Sequence, residues 1–297
     1  MSDATGSAMA APPPTRLLTT ALWICGAVLS FTLMAVSGRE LADELNTFEV
    51  LAYRSALGIP VLVAAAWLSG GLQSVATRHP GKHAVRNLIH FAGQNLWFYA
   101  LAVLPLAQVV TLEFTNPIWV ALLAPMLLGE RLTTAKVIAA LMGFAGILVI
   151  AQPGVAPLEW GHAAGLGAAL SFALTNIATK RLSAHDSPLC VLFWMTVSQT
   201  AMGFAIAMPL GLTWPSMAMM PWVAVVGATG LSAHFCLTRA LYIAPASVVG
   251  PMEFTRLPVV TLVGVWLYGE ALGLALALGA LLILGGNAIN LAAARRT

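Results

Sequence analysis

Pro105-Leu-Ala-Gln-Val-Val-Thr-Leu-Glu113-Phe114-Thr115 returns 140 residues later as Pro245-Ala-Ser-Val-Val-Gly-Pro-Met-Glu253-Phe254-Thr255. The same offset aligns Gly129-Glu130 with Gly269-Glu270, and seventeen of the 47 positions from Ala100 to Gly146 are identical to their mates without a gap. Shared apolar composition alone gives far fewer matches, so the chain is internally duplicated. Further upstream, Leu29-Ser30-Phe31 matches Leu170-Ser171-Phe172 at an offset of 141, which extends the correspondence to the start of each half.

Both halves are built of membrane-length apolar segments. The 297 residues are 59% hydrophobic and 8% charged, with a mean hydropathy of +0.87, whereas a soluble domain carries roughly 25% charge. A spanning helix needs about 20 mostly apolar residues. Ten stretches qualify: 17–37, 48–69, 86–104, 106–129, 134–151, 164–182, 189–210, 220–243, 246–268 and 271–292. The expected fold is an all-α polytopic membrane protein of ten transmembrane helices. The first repeat covers 17–151 and the second 164–292, joined by a linker at 152–163 that carries Pro153, Gly154 and Pro157. Five spans is an odd number, so the second copy enters the membrane from the opposite side, and the repeats are inverted. That arrangement is typical of secondary transporters, which bind substrate near the midplane between repeats.

Short connections let Lys and Arg report orientation. With the N-terminus inside, ten of the fourteen basic residues fall at cytoplasmic ends: Arg16, Arg78, Lys82, Arg86, Arg131, Lys136, Lys180, Arg181, Arg295 and Arg296. Arg39 alone falls outside, and Arg54, Arg239 and Arg256 lie within spans. Both termini are therefore expected in the cytoplasm. The net charge of +3 is too small and dispersed for a nucleic-acid surface. Cys25, Cys190 and Cys236 show no CxxC and no histidine at ligand spacing, so neither a disulfide framework nor a zinc site is expected.

Two five-helix repeats with apolar helices followed by Gly129-Glu130-Arg131-Leu132 and Gly269-Glu270-Ala271-Leu272 resemble the EamA family of the drug/metabolite transporter superfamily. The resemblance covers nearly the whole chain and is uninformative about substrate, because members export amino acids, drugs, nucleosides and other metabolites. Among ten-helix relatives the pattern is similar to aromatic amino acid exporters of the YddG type, which implies a central cavity lined by helices 1, 3, 4, 6, 8 and 9.

Ionisable groups inside a bilayer cost several kcal/mol and mark candidate sites. Glu113 and Glu253 are repeat mates about seven residues into their helices, roughly 10 Å below the interface. Two readings stand for them: a proton or cation site, or a fixed ion pair. Arg256, three residues after Glu253, is expected to neutralise it on one helical face. Arg54 and Arg239 are placed to snorkel to water. Should one guanidinium lack a carboxylate, it is suited to hold a substrate carboxylate through paired hydrogen bonds.

Arg86, His90, Gln94 and Trp97 stack along one face of the third helix, and Gln94 aligns with His234 across the repeats. Together with Asn116 and Asn176 these form the candidate substrate-binding set, with helix-to-helix hydrogen bonding as the structural alternative. Glu130 and Glu270 are read as turn and capping elements. The function expected is export of small metabolites, foremost amino acids, across the bacterial inner membrane, with efflux of cationic or aromatic drugs as the alternative. No HExxH or GxSxG motif supports an enzyme, no filter-like Gly run a channel, and no P-loop an ATP-driven pump. No cofactor is implied, and a monomer suffices, since one chain already holds both repeats.

Overall fold

The computed structural model describes residues 14–128, 133–152, 159–243, 249 and 252–294. Gly129-Glu130-Arg131-Leu132, the Pro153, Gly154 and Pro157 of the linker, most of the stretch opening the ninth span, and Arg295 and Arg296 lie outside these. Among the described residues the chain is all helical: α1 Pro14–Leu41, α2 Thr47–Leu68, α3 Pro80–Val103, α4 Leu106–Glu113, α5 Asn116–Leu128, α6 Thr134–Ala151, α7 Trp160–Leu182, α8 Pro188–Ala207, α9 Met220–Ile243, α10 Arg256–Tyr268 and α11 Leu274–Ala294. A short 3-10 turn, Leu72–Val75, precedes α3.

Local chemistry sets the helix starts. Asn46 accepts from the Phe48 and Glu49 amides while the Glu49 carboxylate accepts from the Asn46 amide, a reciprocal cap that begins α2. Ser187 caps α8 by accepting from the Cys190 amide, with Pro188 at the first helical position, where a missing N–H costs nothing.

The fourth predicted span is broken in two. After Glu113 the backbone tightens, with the Thr115 amide bonding the Leu112 carbonyl at 3.1 Å and the Thr115 hydroxyl donating to the same carbonyl at 2.7 Å. Pro117 then removes a donor the continuing helix would need. The repeat mate breaks alike: the Thr255 amide reaches the Met252 carbonyl at 3.2 Å, its hydroxyl donates there at 2.7 Å, and α10 restarts at Arg256. Irregular backbone at membrane depth must be satisfied by protein. The buried Asn287 amide of α11 does so at the Phe114 carbonyl, at 2.7 Å.

Helices of one repeat pair with helices of the other: α1 with α9, α2 with α8, α3 with α7, and α6 with α11. Each pair runs antiparallel, as contacts show. Ser30 meets Ser232 and Gly26 faces Cys236 along α1 and α9, while Gly203 approaches Ala52 and Gly58 approaches Thr196 along α2 and α8. Exchanging the repeats maps α1·α9 onto α7·α3 and each remaining pair onto itself, which is the signature of a two-fold axis. The glycines report it at atomic scale. A Cβ on Gly146 would lie 2.7 Å from the Gly279 carbonyl oxygen, and one on its mate Gly286 would lie 2.8 Å from that of Ala139, the mate of Gly279. Close approach of small residues replaces the hydrophobic driving force that lipid cannot supply.

Candidate functional site

The helix breaks meet at the centre. Arg256, at the start of α10, forms its ion pair with Glu113 at the end of α4, 2.7 Å away. The expected partner, Glu253, stays within Coulombic range of both Arg256 and Glu113, but the break at Phe254-Thr255 destroys the helical register that would stack it under Arg256. Trp97 of α3 donates its indole N–H to the other Glu113 oxygen at 2.9 Å. The guanidinium carbon lies 5.0 Å from the Phe31 ring centre and 4.9 Å from that of Phe114, so two aromatic faces sandwich the charge. Its Nε is buried without a hydrogen-bond partner among the described residues. Two carboxylates share one guanidinium here, leaving this end one negative charge in excess if both ionise.

A second polar layer lies further along α3. Arg54 is 5% exposed rather than snorkelling. It donates to Gln94 at 2.8 Å and Gln199 at 3.0 Å, while the Gln199 amide donates to Gln94 at 2.8 Å and Ser55 donates to Gln199 at 3.1 Å. Gly230 leaves room for the Arg54 stem, since a Cβ there would lie 3.3 Å from its Cδ. Glu49, the nearest carboxylate in sequence, is committed to the α2 cap and to the Thr213 amide.

Arg86, also buried, donates to Thr179 at 3.1 Å and to Asn87 at 3.1 Å. Among the described residues neither arginine meets a carboxylate. Between them sits His90, with both ring nitrogens buried and without a hydrogen-bond partner among the described residues. Its ring lies 5.7 Å from Phe172 and 6.3 Å from His234, which in turn packs edge-on to Phe31 at 5.7 Å. The structure therefore brings His90, Gln94, Trp97 and His234 to one interior zone with Glu113, Glu253 and Arg256. Asn116 and Asn176 are partnered with each other instead, the Asn176 amide of α7 donating to the Asn116 side-chain oxygen of α5 at 3.2 Å.

Each end of the molecule carries its own inter-repeat contacts. At one, Glu270 pairs with Arg39 and accepts the Leu106 amide at the start of α4 at 2.9 Å, so it caps a helix of the other repeat rather than the one that follows it. Tyr268 donates to Glu40 at 2.7 Å beside it, and a groove of about 540 Å³ opens there. At the other, His83 of α3 bonds Asp186 at 3.0 Å and Thr77 donates to the same oxygen at 2.9 Å. Burial works against the Asp186 carboxylate, but these hydrogen bonds and the neighbouring imidazoles outweigh it and hold its pKa below the usual value.

Sequence reasoning missed Gln199 and the convergence at Asp186. Gln199 sits in an otherwise apolar helix, which was the available signal. No spacing rule connects residue 83 to residue 186.

The EamA-like transporter family matches this sequence over residues 18–152 and again over 159–292. The chain belongs to that family. It is a multi-pass transporter of the bacterial inner membrane, with the family's two-repeat architecture. Among its relatives are a riboflavin transporter of Rhizobium johnstonii, 29% identical over 92% of this chain and 91% of that one. Another riboflavin transporter, from Vibrio cholerae, is 28% identical over 84% and 85%. An S-adenosylmethionine uptake transporter of Rickettsia prowazekii is 24% identical over 84% of each. A solved crystal structure shares the fold, with a TM-score of 0.65 at 22% identity over 94% of this chain and 98% of that one.

Proposed function

We propose that this chain is a secondary transporter of small zwitterionic metabolites of the amino acid class, moved by alternating access between the repeats. One observation carries the reading: the buried face of α3 joins two charge-imbalanced layers of opposite sign. Arg54 and Arg86 flank His90 without a carboxylate among the described residues, and three residues beyond Gln94, about 5 Å of helix rise, Trp97 touches the carboxylate-rich layer at Glu113. An α-carboxylate suits the first layer and an ammonium the second, each supplying the charge the protein lacks. The S-adenosylmethionine carriers among the relatives fit, since that molecule is an amino acid with an added sulfonium. Direction follows the gradient, so export and the uptake named for those relatives are both open to one carrier.

A second reading is favoured by the riboflavin carriers and by the aromatic walls of Phe31, Phe114, Phe254 and Trp97, which suit a planar heteroaromatic ring. Efflux of cationic drugs is its counterpart at Glu113 and Glu253. Proteoliposomes loaded with one compound and offered its labelled form separate these. Counterflow of amino acids or S-adenosylmethionine, lost in Arg86→Gln, supports the zwitterion reading. Counterflow of riboflavin or a cationic drug alone overturns it.

The same reading makes the chain a monomeric carrier rather than an enzyme, divided at 152–163, with both termini in the cytoplasm. A phosphatase fused to the C-terminus that is active in the periplasm would overturn that topology.

A further inference from the structure

Three of the chain's six histidines gather at the end of the bundle opposite Arg39 and Glu270. His79 caps α3 and His83 lies one turn inside it, while His185, Asp186 and Cys190 come from the turn joining α7 to α8 and the start of α8. The His79 and His185 rings stack with centres 4.5 Å apart. A ring nitrogen of His83, an Asp186 oxygen and the Cys190 Sγ all lie within 4.8 Å of one another, and the His83 Nε2 is 3.0 Å from that carboxylate. His83 and Cys190 are buried, and the Asp186 side chain is 7% exposed. The Nδ1 atoms of His79 and His83 are buried with no hydrogen-bond partner among the described residues.

Nitrogen, oxygen and sulfur donors converging in a small buried volume are the ligand chemistry of zinc-class cations. In a tetrahedral zinc site, with bonds of about 2.0–2.3 Å, donor atoms sit about 3.5 Å apart. The three groups therefore need to move by only about 1 Å, less than a rotamer change of the Cys190 thiol accomplishes. His185 adjoins Asp186 in sequence and stacks on His79, which makes these imidazoles the candidates for a fourth ligand.

We propose that His83, Asp186 and Cys190 form a binding site for a zinc-class divalent cation that fastens the two repeats together at this end. His83 belongs to the first repeat, and Asp186 and Cys190 to the second, so a filled site bridges the elements that alternating access must separate. The restraint on transport rests on the carrier reading above, whereas the binding site does not. Metal entry replaces the hydrogen bonds from the Cys190 thiol to the Val75 carbonyl and between His83 and Asp186. The thiol proton leaves to solvent, the His83 proton that faced Asp186 moves to the other ring nitrogen so that the imidazole binds in its neutral form, and no electrons are transferred.

Cobalt(II) titration of the full chain in detergent tests the site directly. The expected result is one equivalent bound, with a thiolate-to-cobalt absorption band that zinc abolishes. The Cys25→Ser/Cys236→Ser variant should keep the band, and Cys190→Ser should lose it and weaken metal binding tenfold or more. Asp186→Asn, which keeps a hydrogen-bonding side chain at that position, should weaken it too with the protein still monodisperse. No thiolate band in wild type, or one that survives Cys190→Ser, overturns the site. Zinc should slow counterflow in wild type and leave Cys190→Ser unaffected; binding without inhibition in an active carrier overturns the fastening. A protein that binds cobalt through Cys190 yet transports nothing tells against the carrier reading alone.

Discussion

Replacing Glu113 and Glu253 with Gln, singly and together, tests whether two carboxylates share one guanidinium. Unit charges 2.7 Å apart attract by about 6 kcal/mol at an effective dielectric of about 20, most of it offset by desolvation. Stranding a buried partner costs about 3–5 kcal/mol. In Glu113→Gln, however, Arg256 keeps Glu253 within Coulombic range, so the loss should be only about 1–3 kcal/mol. Glu253→Gln leaves the Arg256–Glu113 pair intact and removes repulsion between the carboxylates, so its cost should be near zero. The double variant strands Arg256 between Phe31 and Phe114 and should exceed the sum of the singles by about 2 kcal/mol. Adding Arg256→Gln to the double variant should recover much of the loss. The assay is reversible unfolding in mixed micelles against SDS mole fraction, read by tryptophan fluorescence and circular dichroism. Additive singles, or a double variant milder than their sum, would refute the shared-guanidinium reasoning.

Gly146→Ala should cost about 1–3 kcal/mol in the same assay, because its Cβ meets the Gly279 backbone oxygen at 2.7 Å and no side-chain rotation relieves it. Gly81→Ala, with nothing within 4 Å, should be near neutral and serves as its control. His90→Ala should leave the fold intact, since neither ring nitrogen has a hydrogen-bond partner among the described residues, while lowering counterflow at least tenfold. Equal transport by this variant would remove His90 from the site. The Glu44 carboxyl, in the turn between α1 and α2, is held below its ordinary pKa by hydrogen bonds from the Ser216 amide and hydroxyl. A depressed pKa stabilises the fold above the unfolded value of about 4.3 and loses that contribution as pH falls through the lower folded value. The stability difference between wild type and Glu44→Gln should accordingly be present at neutral pH and vanish in acid; a difference that grows in acid would contradict it.

Much of the architecture was legible from composition and repetition. Lipid demands long apolar helices, so span number and the odd-numbered duplication follow from one chain. The Glu113-Phe114-Thr115 and Glu253-Phe254-Thr255 repeat singled out a pair of equivalent carboxylates within apolar spans. That these triplets break their helices was not legible, because an apolar run reads the same whether it crosses continuously or is interrupted by a threonine hydroxyl bonding backward to a carbonyl.

Partner choice was decided in three dimensions. Sequence spacing pointed Arg256 to Glu253, and the break in the ninth span turned it to Glu113. Arg54 reads in sequence like a residue free to reach water, yet helices from both repeats enclose it against Gln94 and Gln199. His83 stands more than a hundred residues from Asp186 and Cys190, in the other repeat, and meets them only because α3 and α8 begin at the end of the bundle where α7 finishes. Hydropathy and periodicity act along the chain, so the number of crossings and the two inverted halves follow from residue order alone. Hydrogen bonds and ion pairs act across a few ångströms of space, so which charges meet a partner of opposite sign was decided by how the two halves pack.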